Sequence, residues 1–330
     1  MNYKFSVIIP VYKAEKTINR CLDSLLRQKQ DNAEIILIND GSKDRSGEIC
    51  REYASKHTCI VYIEQENAGA ASARNAGLAV ASGEYITFVD SDDYVVDGYF
   101  AGLDSSNEDF VVFSYQTVRH KEVSEFCFGQ RLLNATDNTD IILHVLRNRI
   151  AAPWNKRFKR EIIERNEMRF KPDLVIGEDF VFGLEYMLLC ESSRVDTTVR
   201  YCVDETGSES VTRGGKYNFS QFLRIYGHAF KIAEECKWAE PSKSMLMRQV
   251  DYLYCRTAFA ATEHCIAARE KCAMKISDLV LDFSNQLRAD IIPLSLVHLG
   301  MSLCIKNKII PVFFIIAGMH KLMRCVLKRN

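Results

Sequence analysis

The sequence reads SVIIPV at residues 6–11, EIILI at 34–38, CIVYI at 59–63 and YITFV at 85–89. Each run is short, apolar and rich in β-branched residues, which is typical of a buried strand, and the first is expected to stop at Pro10. Segments with helical spacing of apolar residues separate the runs, for example at 14–28 and 70–81. This alternation predicts an α/β fold with a mostly parallel sheet and helices on both faces.

The alternation fades after about residue 115. Strands are predicted at 110–113 and near 195–203, helices at 137–148 and 179–190, and a helical pattern from about residue 216. We therefore predict a catalytic α/β domain over residues 1–214 and a helical C-terminal region over 215–330.

The composition excludes several classes of protein. Of the 330 residues 47% are hydrophobic and 26% charged, as in globular proteins. The 43 basic and 43 acidic residues balance, which argues against a nucleic-acid binder. The 12 cysteines are scattered without a Cys-x-x-Cys pair, as expected in a reducing cytosol. We see neither a signal peptide nor an apolar run of about 20 residues, so we expect a cytoplasmic protein.

The charge is uneven along the chain. No acidic residue follows Asp290, whereas six lysines and arginines do. Residues 291–330 also contain apolar runs, so two interpretations stay open: a helical subdomain packed on the catalytic body, or an in-plane anchor on the anionic inner face of the plasma membrane.

Three polar loops follow predicted strands, namely Pro10-Val11-Tyr12, Asp40-Gly41-Ser42 and Asp90-Ser91-Asp92-Asp93. Ligands bind at the carboxyl ends of the strands in an open α/β sheet. Two acids one residue apart at such an end indicate a Mg²⁺ or Mn²⁺ site, although both acidic loops also occur as ordinary turns. The first loop has neither a G-x-G-x-x-G pattern nor a P-loop lysine, which disfavours dinucleotide oxidoreductases and P-loop kinases.

Two further segments carry candidate chemistry. Residues 67–77 are small apart from Asn67, Arg74 and Asn75, and they indicate either a helix packed closely on the sheet or a surface that an anion or sugar approaches. Glu178 and Asp179 begin an amphipathic helix. Helix capping accounts for one carboxylate at that position. If both carboxylates open on one cleft, one of them can act as a general base.

Together these segments resemble family 2 glycosyltransferases with the GT-A fold, a Rossmann-like architecture. The matching stretches, in the family's order, are residues 7–12, 38–44, 67–77, 88–93 and 177–182. The resemblance covers roughly residues 4–212 and implies a metal-dependent inverting glycosyltransferase of bacterial surface polysaccharide synthesis. It implies a nucleotide-diphosphate sugar as donor, with UDP favoured, and a glycan or polyprenyl-diphosphate-linked acceptor.

The resemblance also implies roles for individual residues. Asp179 would be the catalytic base, with Glu178 beside it binding donor or acceptor, and Asp92 and Asp90 would hold Mn²⁺ or Mg²⁺. The implied donor-binding residues are Pro10, Val11, Tyr12, Glu15, Asp40 at the base edge, Asn67, Arg74, Asp90 and Ser91.

On the acceptor side the resemblance implies Trp154 and Lys156, although Trp154 is equally well interpreted as a core residue. The chain departs from the family at Tyr201-Cys202-Val203, which lacks the arginine that many relatives carry there. Arg213 or Lys216 could supply those diphosphate contacts instead.

Two other classes of protein are alternatives to a glycosyltransferase. A sugar nucleotidyltransferase would carry a Gly-rich basic loop after the first strand. Residues 10–15, which follow that position, do not form such a loop sequence. A non-catalytic scaffold is disfavoured because Asp40, Asp90, Asp92 and Asp179 are all present.

Overall fold

The computed structural model describes residues 3–28, 32–105, 107–119, 122–128, 138–147, 152–174, 176–206, 219–247 and 249–250. The contacts divide the chain into compact units of residues 1–247 and 248–330, and every element below lies in the first. Residues 291–330 lie outside the described ranges, so both interpretations of this segment stay predictions. Within the described ranges, no helix is long and apolar enough to cross a membrane.

The strands are β1 Phe5–Val11, β2 Ala33–Asp40, β3 Ile60–Gln65, β4 Tyr85–Phe88, β5 Tyr94–Val95, β6 Phe110–Arg119, β7 Glu122–Phe126, β8 Lys156–Lys159 and β9 Ser193–Asp204. The helices are α1 Ile18–Leu26, α2 Ser46–Lys56, α3 Ala70–Val80, α4 Asn138–Arg147, α5 Arg160–Arg165, α6 Glu178–Leu189 and α7 Phe219–Glu235, with a short 3₁₀ turn at Pro153–Asn155 before β8.

The strands form one sheet in the order β3-β2-β1-β4-β8-β6-β9-β5, with β7 added to β6. The four strands β3, β2, β1 and β4 pair in parallel, which confirms the predicted arrangement. On the other side, β8 pairs antiparallel with β4 and with β6, so the complete sheet is mixed. The predicted strand near 195–203 is β9, which pairs in parallel with β6.

Strand β1 lies at the point where the strand order reverses, and its end leaves a crevice. It pairs with β4 only as far as Ile8 opposite Phe88, but with β2 as far as Val11 opposite Asn39. The carbonyl of Ile8 accepts from Val89 N on the β4 side. Two residues further on, the backbone nitrogen of Pro10 faces the same side of β1, where β4 has already ended. Its missing N–H therefore costs no ladder bond, and β1 continues through Pro10 instead of stopping there.

Helices cover both faces of the parallel part. On one face, Val7 and Ile9 of β1 share a buried cluster with Leu22 of α1. On the other, a Cβ built on Gly77 of α3 would lie 2.4 Å from Cγ2 of Ile8. Only a glycine fits this approach, so residues 70–80 form a helix packed closely on the sheet, one of the two interpretations of this small-residue segment.

Helix α6 begins after a left-handed backbone position that glycine adopts without strain. Gly177 precedes it with a φ of 82°, a left-handed conformation that favours glycine. A Cβ there would lie 2.6 Å from Cδ1 of Ile225 in α7, so α7 packs directly beside the start of α6. Helix α7 belongs to the region that the sequence assigns to the C-terminal part, and the division at residue 214 stays a prediction.

Candidate active site

The loops after β1 and β2 are tied together and form one wall of the crevice. Lys13 N donates to Ser42 Oγ at 3.2 Å, and Arg45 N donates to Glu15 Oε2 at 3.1 Å. Tyr12 is 47% exposed beside these contacts. Among Pro10, Val11, Tyr12 and Glu15, the side chain of Tyr12 is therefore the most accessible.

The other two residues of the first loop are less accessible than Tyr12. Val11 is buried in the core cluster and Pro10 is half-buried. Val11 therefore has only its backbone to offer a ligand.

Asp40 ends β2 and is only 3% exposed. Its Oδ1 accepts from Gln65 Nε2 at 2.7 Å and Ala68 N at 2.9 Å, and its Oδ2 accepts from Gly69 N at 2.9 Å. Its carbonyl accepts from Asn67 Nδ2 at 2.9 Å. Asp40 and Asn67, both predicted to bind the donor, are thus brought together, and the carboxylate of Asp40 holds the turn that leads into α3.

Arg74 lies in α3, is 6% exposed and bridges two carboxylates. Its Nη2 donates to Asp90 Oδ1 at 3.1 Å, and its Nη1 donates to Glu178 Oε1 at 3.0 Å. Burial alone would lower the pKa of Arg74, but the charges of Asp90, Glu178 and Asp179 outweigh it and raise that pKa. One guanidinium therefore joins the acidic loop after β4 to the start of α6, 104 residues away from Arg74.

The start of α6 carries the predicted base and its neighbour. Asp179 Oδ1 accepts from Phe180 N at 2.7 Å within the first turn. Burial and the charge of Asp179 raise the pKa of Glu178 to about 7, against the opposing effect of Arg74. A carboxyl with a pKa near 7, placed next to the predicted base, suits proton transfer near neutral pH.

The loop after β4 contains three carboxylates with different surroundings. Asp90 and Asp92, with Ser91 between them, are half-buried, whereas Asp93 is buried. Burial and the charge of Asp90 raise the pKa of Asp92, and burial together with the charges of Asp90 and Asp92 raises the pKa of Asp93 to about 8. This crowding of negative charge favours a bound cation.

We tested whether these residues fit a divalent cation. Within the described part of the chain, no other residue donates a hydrogen bond to the carboxylate of Asp92. Only its own backbone N–H does so, which leaves oxygen lone pairs available to a ligand. No group of three or more His, Cys, Asp or Glu side chains in the described residues is arranged to hold a metal. Mg²⁺ and similar ions are often held by one or two carboxylates plus substrate phosphates, so Asp92 with Asp90 fits such an ion when a diphosphate completes the set.

Sequence reasoning missed the residues that hold this loop from outside. The hydroxyl of Tyr201 accepts from Asp90 N at 3.0 Å and donates to Asp93 Oδ2 at 2.8 Å. Arg20 donates to the carbonyl of Asp92 at 2.7 Å and forms an ion pair with Asp204. These partners lie 72 to 184 residues apart in sequence, and no local pattern marks them.

Of the two residues predicted to border the acceptor, Trp154 lies in the 3₁₀ turn before β8 and Lys156 begins β8. Trp154 is half-buried, and its ring stacks on that of Tyr201 at 4.6 Å between centroids. Lys156 is buried, and its Nζ donates to Asn155 Oδ1 at 2.7 Å and to the carbonyl of Ala152. Burial lowers the pKa of Lys156 to about 7, although the charge of Asp179 opposes this. Their acceptor role stays a prediction.

The mixed sheet, with its parallel half and flanking helices, has the GT-A class of glycosyltransferase fold. Residues 6–164 match the model of glycosyl transferase family 2. The glycosyltransferase EpsJ of Bacillus subtilis (strain 168) is 39% identical over 187 residues, which cover 54% of this chain and 54% of EpsJ. Residues 6–164 are therefore similar to glycosyl transferase family 2, and the match to EpsJ spans about half the length of that relative.

Two solved structures share the fold. TarS 1–349 of S. aureus in complex with UDP-GlcNAc has a TM-score of 0.70 at 20% identity, covering 97% of this chain and 92% of that chain. The mannosyltransferase PcManGT of Pyrobaculum calidifontis, in complex with GDP-Man and Mn²⁺, has a TM-score of 0.54 at 17% identity, covering 96% and 85%. At these identities the likeness establishes the fold alone.

Proposed function

We propose that this chain is an inverting glycosyltransferase that moves a sugar from a UDP-sugar donor to a hydroxyl of a glycan or polyprenyl-diphosphate-linked acceptor. The observation that carries the proposal is the bridge made by Arg74, which places Asp90 and Glu178 within reach of one side chain. This bridge supports a site in which the donor-side loop and the helix start that carries Asp179 line one crevice. The UDP-GlcNAc named for TarS supports a uridine donor.

In the proposed reaction, Asp179 accepts the proton of the acceptor hydroxyl. The hydroxyl oxygen bonds to the anomeric carbon of the donor sugar while the bond to the diphosphate breaks on the opposite face. The bonding electrons leave with the nucleoside diphosphate, and the single displacement inverts the anomeric centre. Arg74 holds the carboxylate of Glu178, and Tyr12 offers an exposed ring at the nucleotide end of the crevice.

Asp92 and Asp90 are the residues that would hold Mn²⁺ or Mg²⁺ in this proposal. A divalent cation there would stabilise the negative charge that grows on the leaving diphosphate. Two observations support this role: the carboxylate of Asp92, which accepts no hydrogen bond from another described residue, and the Mn²⁺ named for PcManGT.

The proposal also covers acceptor and location. The surplus of basic residues after Asp290, together with apolar runs, supports a cytoplasmic protein bound peripherally to the membrane, where a lipid-linked acceptor would lie. A chain ending near residue 290 should lose binding to anionic liposomes that the full chain retains. Equal binding of both chains would contradict the membrane role.

The reaction is tested by incubating the protein with a panel of nucleotide-sugars and Mn²⁺ while released nucleoside diphosphate is measured. We expect release from a UDP-sugar. Asp179→Asn should lower turnover by about 10²–10⁴-fold, because the amide cannot accept the proton. Glu161→Gln is a matched control, since Glu161 is an exposed acidic residue in the first turn of α5. Absence of release from every donor would overturn the function, and near-normal turnover of Asp179→Asn would overturn the base.

A further inference from the structure

We infer that Tyr201 is a positioning residue that sets the shape of the acidic loop, residues 90–93, for nucleotide and metal binding. This inference rests on the proposed function. Tyr201 lies near the end of β9 and is fully buried. Its hydroxyl accepts from Asp90 N at 3.0 Å and donates to Asp93 Oδ2 at 2.8 Å, so it holds the loop at its first and last residues.

The same loop is held a second time by β9. Asp93 Oδ1 accepts from Asp204 N at 2.9 Å, and Asp93 N donates to the carbonyl of Asp90 at 3.1 Å. Both carboxylate oxygens of Asp93 are therefore used to fasten the loop. The carboxylate of Asp92 accepts no hydrogen bond from another described residue and stays available in the crevice. Asp93 thus serves structure, and Asp92 is left for a ligand.

The ring of Tyr201 is itself fixed in place. It stacks on Trp154 with 4.6 Å between centroids and an interplanar angle of 11°. Tyr115 packs edge-on against the other ring of this pair, Trp154, at 4.7 Å. A stacked ring with a hydroxyl bonded at both sides has little freedom, so Tyr201 determines where the backbone of Asp90 lies. Loss of the Tyr201 hydroxyl should therefore change donor and metal binding through the position of the loop. Tyr201 itself does not need to contact the reacting groups.

The test is Tyr201→Phe, which keeps the stacked ring and removes only the hydroxyl. The affinity for UDP is measured by calorimetry with and without Mn²⁺. The dissociation constant without Mn²⁺ divided by the dissociation constant with Mn²⁺ is the ratio that reports the metal-dependent part of binding. We expect this ratio to fall by about tenfold or more, as for other residues that orient metal ligands. Tyr115→Phe is the matched control, since the described contacts of Tyr115 include no hydrogen bond to residues 90–93, and its ratio should equal that of the wild type.

An unchanged ratio in a folded Tyr201→Phe protein would overturn the inference while leaving the proposed function intact. If circular dichroism shows that this variant does not fold, Asp93→Asn takes its place, because it removes the acceptor of the same hydroxyl proton without changing side-chain size. A ratio equal to that of the wild type in Asp93→Asn would then overturn the inference. Failure of the wild-type protein to bind UDP with Mn²⁺ would overturn the proposed function and this inference together.

Discussion

Replacing Arg74 by lysine separates the charge of this residue from its planar geometry. In the wild-type chain, one guanidinium donates to Glu178 at 3.0 Å and to Asp90 at 3.1 Å. A lysine ammonium keeps the charge, but it lacks the fork that reaches both carboxylates. Arg74→Lys therefore loses one charge-assisted hydrogen bond, about 1.5–3 kcal/mol. Arg74→Ala leaves both carboxylates without their cation and should cost about 3–5 kcal/mol.

The assay is equilibrium unfolding in urea at pH 8, above the pKa of Glu178 of about 7. The midpoint should fall in the order wild type, Arg74→Lys, Arg74→Ala, with a constant slope. Arg51→Lys is the matched control, because Arg51 pairs with Glu64 on the surface, where such an exchange costs about 0–1 kcal/mol. An Arg74→Lys protein within about 0.5 kcal/mol of the wild type would refute the bridge as a determinant of the site.

A double variant tests the cause of the loss. If Arg74→Ala is unstable because Glu178 keeps a buried charge without a partner, Glu178→Gln should recover part of the stability in that background. The coupling between the two changes should be about 0.5–3 kcal/mol, as for residues in one ion-pair network. Strictly additive losses would show that the two side chains act independently.

Asp40→Asn should lower stability to urea by about 1.5–3 kcal/mol, because the amide cannot accept from both backbone N–H groups that the carboxylate now satisfies; wild-type stability would contradict this role. Gly177→Ala should cost about 1–2 kcal/mol from the left-handed backbone alone, plus the clash with Ile225, and a thermal melt with an unchanged midpoint would be the contrary result. The pKa of Glu178 is about 7 in the folded protein, above its ordinary value of 4.5. Between these two pH values the folded state keeps a proton that the unfolded chain releases, so the stability of the folded state falls as pH rises. Glu178→Gln should therefore gain stability relative to the wild type between pH 5 and pH 8, and a pH-independent difference in urea midpoints would argue against the raised pKa.

The parallel half of the fold could be predicted because its strands are continuous apolar runs. Residues 35–38 are buried on both faces of the sheet, so each position must be apolar and the pattern is visible without any structure. The helices between them show their buried faces through the spacing of Ile18, Leu22 and Leu25.

Strand β8 could not be predicted, because its sequence is Lys-Arg-Phe-Lys and has no apolar run. Lys156 and Arg157 are both fully buried, contrary to what charged residues usually indicate. Arg157 donates to the carbonyls of Leu103 and Glu108, and it lies 3.9 Å from the centroid of the Tyr85 ring. These partners, about 50 to 70 positions away in sequence, make the burial of Arg157 possible. A local sequence pattern does not indicate them.

At the candidate site, too, contacts between residues distant in sequence could not be predicted. Asp92 and Asp93 show this most clearly. The spacing of the acids predicts Asp90 and Asp92 as cation ligands, but it assigns no role to Asp93, a neighbour of the same residue type. Asp93 is turned into the protein by Tyr201 and the backbone of Asp204, more than 100 residues later, whereas no other described residue donates a hydrogen bond to the carboxylate of Asp92. A sequence can therefore show that an acidic loop ends a strand. Which of its acids builds the loop and which is left for a ligand depends on the strand that packs against it.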